Sequence, residues 1–184
     1  MKTKDMVYAA LFAALIAVLG LIPPIPLPFI PVPITAQTLG VMLAGGFLGK
    51  KLGGLSALLV VVLVALGAPI LSGGRGGLSV IAGPTGGFLL SWPVAAFVIG
   101  YLTEKVWANP RFWKLFLINM IGGLVVVYLI GAPYLAFISD IPVGTAILSS
   151  AVFFPGDIIK ALIATFICIQ VKTISPINER FPKL

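Results

Sequence analysis

Asp157 and Lys160 are the only charged residues among the thirty-one from Ile141 to Val171, in the stretch Phe153-Phe154-Pro155-Gly156-Asp157-Ile158-Ile159-Lys160. An ionisable side chain inside lipid costs about 2.5–3.5 kcal/mol on insertion scales, so such residues ordinarily have a partner and a task. Spacing of i and i+3 places both on one helix face, where a carboxylate and an ammonium meet each other or a shared ligand. A ligand with both acceptors and N–H donors suits that pair. Pro155-Gly156 allows a helix to start here, because the first turn leaves its N–H groups unpaired in any case. Asp157 and Lys160 then occupy the first turn of the last span, with Asp157 at the positive end of the helix. The plainer alternative is a capping carboxylate neutralised by the lysine.

Other side chains extend the chemistry. Arg75 lies in Gly73-Gly74-Arg75-Gly76-Gly77, where it either holds a carboxylate through its guanidinium fork or is simply solvated. Gln37, with Thr35 and Thr38, opens the second apolar stretch; an amide at that depth bonds across helices or faces a ligand. Asn119 reads as interhelical glue. Histidine is absent and Cys168 is alone, so no His/Cys metal site and no disulfide within the chain is expected, and Cys168 reads as a small buried hydrophobe. The stretch Gly45-Gly46-Phe47-Leu48-Gly49-Lys50-Lys51 superficially resembles a P-loop, but it is one residue short and has Lys51 where Ser or Thr would bind Mg²⁺. With no ATP site, energy for active transport has to come from a partner or an ion gradient. An intramembrane enzyme would need a base or a second acid beside Asp157, and neither is evident.

The elements that position these residues follow from composition. The chain has 184 residues, 60% hydrophobic and 9% charged, with mean hydropathy +1.18, far from the roughly 25% charge of soluble domains. This predicts a single all-α integral membrane domain over 1–184, with spans at about 6–22, 34–49, 52–67, 84–103, 115–134 and 155–174. The second and third are short and joined by Gly49-Lys50-Lys51-Leu52, as a tight hairpin or as spans finished by polar loop residues. The first stretch lacks the cleavage site of a signal peptide. With both termini cytoplasmic, ten of the twelve basic residues fall inside, Arg75 falls outside and Lys160 lies within the last span; the reverse orientation inverts the positive-inside rule. The net charge of +7 is thereby accounted for without nucleic acid. Of the outer segments, the proline-rich 23–33 predicts an extended polyproline-like cap. The glycine-rich 68–87 allows close backbone approach, and 135–154 predicts a short helix after Pro142.

Taken in order, three motifs resemble those of the BioY family. They are Pro33-Ile34-Thr35-Ala36-Gln37-Thr38 leading to Leu43-Ala44-Gly45-Gly46-Phe47-Leu48-Gly49, then Gly83-Pro84-Thr85-Gly86-Gly87-Phe88, then Phe154 to Lys160. Members of that family are biotin-capturing S components of energy-coupling factor (ECF) vitamin transporters. The resemblance implies a six-helix S-component fold in the prokaryotic plasma membrane. It also implies biotin as transported ligand rather than cofactor, a transmembrane coupling subunit and two ABC-type ATPases as partners, and no enzymatic activity. It further implies that Asp157 and Lys160 contact the ligand; Arg75, Gln37, Thr35, Thr85 and Phe88 are expected to complete the substrate-binding set. The small-residue face of the first span, Ala9/Ala13/Ala17 or Ala10/Ala14, is similar to the docking face for the coupling subunit. The ureido N–H groups of biotin suit Asp157, and its carboxylate suits Arg75, or Lys160 in a reversed pose; Trp92 and the phenylalanines would line its apolar part. An S component for another small vitamin or precursor is the alternative.

Overall fold

The computed structural model describes residues 2–28 and 30–174. Helix α1 (Thr3–Leu19) packs Ala9, Ala13 and Ile16 against α2 (Gln37–Ala65). α2 is two arms rather than one rod, because Gly49 has φ 74° and ψ −176°, a region essentially restricted to glycine. The chain doubles back there, so that a Cβ on Gly53 would lie 2.8 Å from the Ala44 carbonyl oxygen. The turn is fastened by Glu104, which accepts from the Lys50 backbone N–H at 2.9 Å and pairs with its ammonium at 3.1 Å. Gly49→Ala is expected to cost about 1–3 kcal/mol, read as a lowered melting temperature of the detergent-purified protein. Gly54→Ala, where a Cβ would make ordinary contact with Pro93 O at 3.4 Å, serves as control; equal melting temperatures would contradict the turn.

The remaining elements are α3 (Leu78–Ile81), α4 (Gly86–Val106), α5 (Phe112–Met120), a π-helical turn (Ile121–Val126), α6 (Val127–Ser139), α7 (Val143–Ser150), a 3₁₀ turn (Ala151–Phe153) and α8 (Phe154–Ile174). α2 and α4 form the most extensive helix pair, α6 lies on α4, and α5 lies on α8. Among the described residues, four stretches, Gln37–Ala65, Gly86–Val106, Phe112–Ser139 and Val143–Val171, are long and apolar enough to cross a membrane. Large apolar side chains face outward, Leu66, Trp113, Leu129 and Phe137 among them, as a lipid-facing surface requires.

Two departures from the sequence expectation bear on the site. First, the described residues of 23–33 do not form a polyproline path. β1 (Ile25–Leu27) and β2 (Ile30–Ile34) pair antiparallel, with Ile25 opposite Ile34 and Leu27 opposite Ile30. The registered residues alternate with Pro26, Pro31 and Pro33, so the residues lacking an N–H avoid the pairing positions. Second, the fifth helical stretch runs from Phe112 to Ser139 instead of 115–134. It continues past Pro133 until Asp140, which adopts a left-handed conformation with φ 52°. An estimate based on bilayer thickness stops earlier than the backbone does.

Candidate ligand-binding site

The ribbon β1–β2 contributes Val32, Pro33 and Ile34 to the rim of a partly open cavity between the ends of α2, α4, α6 and α8. Its apolar wall includes Leu71, Phe88, Leu89, Trp92, Val127 and Phe153. Phe153 packs edge-on to Phe88 with ring centroids 6.0 Å apart, and lies 6.5 Å from the Tyr128 ring. Asp157, Lys160 and Tyr128 form the polar wall.

Asp157, 4% exposed, receives the Lys160 ammonium on Oδ1 at 2.6 Å and the Tyr128 hydroxyl on Oδ2 at 2.6 Å. Lys160 Nζ also donates to Thr38 Oγ1 at 2.7 Å and to the Thr35 carbonyl at 3.0 Å. All three ammonium protons thus have acceptors, which is the condition under which a buried ion pair is tolerable. The carboxylate differs, because each of its oxygens can accept more than one hydrogen bond. Asp157 therefore retains acceptor capacity toward the cavity, while Lys160 holds it in place.

Arg75 lies on the same cavity, with Nε donating to Ser72 O at 3.2 Å. Among the described residues its guanidinium has no carboxylate partner, so its terminal nitrogens remain available for an anion. Thr85 and Phe88 also line the cavity, and the Thr85 hydroxyl makes no hydrogen bond among the described residues. Thr35 contributes its carbonyl to Lys160.

Gln37 reaches the cavity wall but is committed elsewhere. Its Nε2 donates to Ile16 O and Ile70 O, each at 3.1 Å, and its Oε1 accepts from Ser72 N at 3.1 Å and Ser72 Oγ at 3.3 Å. Those bonds tie α1, α2 and the 66–77 loop together and leave the amide no donor for a ligand. The alanine faces separate too. Ala9 and Ala13 are 3% and 4% exposed and pack internally against α2. Ala10 and Ala14 face outward and Ala17 is half-buried. Asn119 donates to Thr165 Oγ1 on α8 at 3.0 Å, and its Oδ1 is buried with no partner among the described residues. Tyr128 is a site residue that charge and motif do not single out; a lone phenol in the apolar stretch 121–133 is its signal in the sequence.

A helical membrane protein that holds a buried, fully paired charge cluster at the edge of an aromatic cavity is built to bind a small amphipathic molecule. The chain belongs to the BioY family, whose sequence model matches residues 1–176. Over 172 residues it is 51% identical to the biotin transporter BioY of Rhizobium etli, covering 91% of this chain and 92% of that one. It is 44% identical over 171 residues to the probable biotin transporter BioY of Bacillus subtilis, covering 93% and 91%. Its fold is that of a solved S component for biotin from an ECF-type ABC transporter, with TM-score 0.93, 36% identity, and 98% and 99% of the two chains covered. The proteins it resembles are transport proteins, not enzymes.

Proposed function

We infer that this chain is the biotin-capturing S component of an ECF-type importer in the cell membrane, which delivers biotin inward with ATP hydrolysed by partner subunits. The observation that carries the reading is the unspent acceptor capacity of Asp157, held by Lys160 and Tyr128 at the edge of an aromatic cavity that also contains Arg75. Biotin has the complementary pattern: ureido N–H donors for Asp157, an apolar bicycle for Phe88, Trp92 and Phe153, and a carboxylate for Arg75. Thr85 borders the same space as a further contact. Lys160, with its donors occupied, fixes the carboxylate rather than the ligand. We read six membrane passes, counting α1 and both arms of α2, with the termini cytoplasmic and the cavity open to the outside; the lysines at the Gly49 turn support that orientation. The outward Ala10/Ala14 stripe is the part of α1 left for a coupling subunit, since Ala9 and Ala13 are internal.

Equilibrium binding of labelled biotin to the purified protein tests the reading. Saturable binding, competed by biotin and not by vitamins lacking a ureido ring, is the expected result, with Arg75→Ala weakening it by about tenfold or more for a lost charged hydrogen bond. Absence of binding, or equal competition by unrelated vitamins, would rule it out.

A further inference from the structure

The helical stretch Phe112–Ser139 touches α8 through hydrogen bonds at two levels. Asn119 Nδ2 donates to Thr165 Oγ1 at 3.0 Å, and Tyr128 OH donates to Asp157 Oδ2 at 2.6 Å. On α8, Asp157 and Thr165 are eight residues apart, about 80° in phase at 3.6 residues per turn, and so share a face. Asn119 and Tyr128 are nine apart, which in an unbroken α-helix is about 180°. Such a helix could not turn both side chains toward the same neighbour.

The π-helical turn Ile121–Val126 lies between them. A π turn bonds i to i+5 and takes up one residue more than an α turn, which rephases everything beyond it by about 100°. Nine residues then count as eight, and the phase difference falls to about 80°, matching the face on α8. The extra residue is absorbed where Gly122 packs on Ile99 and Gly123 on Met42, while Val125 points outward.

We propose that the π turn is the device that brings Tyr128 into the binding site, and that Tyr128 is a positioning residue that orients the Asp157 carboxylate toward the ligand. The inference rests on the biotin reading above, and it adds a residue and a backbone feature that charge and motif do not reveal. Without the π turn, Tyr128 would face away from Asp157 while Asn119 kept its place on Thr165.

Two deletions of equal length separate the phase from the composition. Val125 and Leu129 are both exposed, at 44% and 69%, and removing either lets the π turn relax to α-helix without rotating 131–139 relative to Asn119. Deletion of Val125 leaves Tyr128 facing Asp157, whereas deletion of Leu129 swings it away by about 100°. Biotin affinity is expected to stay within about threefold of the parent for the first, and to fall at least about tenfold for the second, the scale of a hydrogen bond to a charged group. Preference for biotin over an analogue methylated on its ureido nitrogens supplies a readout that packing alone does not move. That preference should survive deletion of Val125 and shrink alike in the Leu129 deletion and in Tyr128→Phe. Equal behaviour of the two deletions, whether both bind or neither does, overturns the phasing; an unchanged preference in Tyr128→Phe overturns the positioning role. Failure of the parent protein to bind biotin would instead strike the reading beneath it.

Discussion

Asp157→Asn is expected to abolish measurable biotin binding and to destabilise the protein by about 3–5 kcal/mol, the range found when one partner of a buried ion pair is removed. The double variant Asp157→Asn/Lys160→Met should regain most of that stability and none of the binding. In the parent, the Lys160 ammonium is 2.6 Å from Asp157 and, among the described residues, its other acceptors are neutral, Thr38 Oγ1 and Thr35 O. An asparagine keeps the shape and one acceptor oxygen but removes the countercharge, leaving the ammonium uncompensated in a side chain only 13% exposed. Replacing the lysine as well removes the stranded charge, and an apolar side chain of similar length fills its path, an exchange that is often neutral or stabilising. Stability read by unfolding, alongside biotin binding, distinguishes the two roles of the pair. A single variant as stable as the parent would show that Lys160 does not depend on Asp157. A double variant that still binds biotin would remove Asp157 from the site.

The pair was legible in the sequence because charge in an apolar run is a large energetic signal. Its helix position was legible too: Pro155 starts helices, and Asp157 lies in the first turn of α8. Tyr128 carries no charge, and its direction depends on whether the turn before it is α or π. The π turn lies where Gly122 and Gly123 come close to Ile99 and Met42, a tertiary arrangement with no periodic signature in the sequence. The alanines leave two faces open in the sequence for a related reason. Positions 9/13 and 10/14 carry the same small-xxx-small spacing on adjacent faces of α1, and only the placement of α2 decides which face is covered. The ribbon at 25–34 is hidden in the sequence because proline density favours polyproline geometry locally. The alternation of proline with Ile25, Leu27 and Ile34 also suits a paired edge, and pairing won.

Gln37→Leu is expected to cost about 2–4 kcal/mol, taking about 1 kcal/mol for each buried group left without its partner. Three backbone groups lose that partner, Ile16 O, Ile70 O and Ser72 N, together with the Ser72 hydroxyl. The Ile16 carbonyl lies in the last turn of α1, where helical acceptors run out, so a substituted leucine offers nothing to replace the amide. Single interhelical hydrogen bonds in membrane proteins average only about 0.6 kcal/mol; Gln37 exceeds that because one side chain serves three segments at once. Gln37→Glu should be at least as damaging, since an ionised carboxylate has no donor for the Ile16 and Ile70 carbonyls. The loop fastened by these bonds also carries Arg75, whose Nε is held by Ser72 O, so some loss of biotin affinity is expected to accompany the loss of stability and to shrink on cooling. Melting temperature and biotin affinity measured on the same samples decide the matter. If Gln37→Leu melts like the parent yet loses biotin, the amide contacts the ligand directly and the bonding pattern described here is not the one that operates in the binding protein.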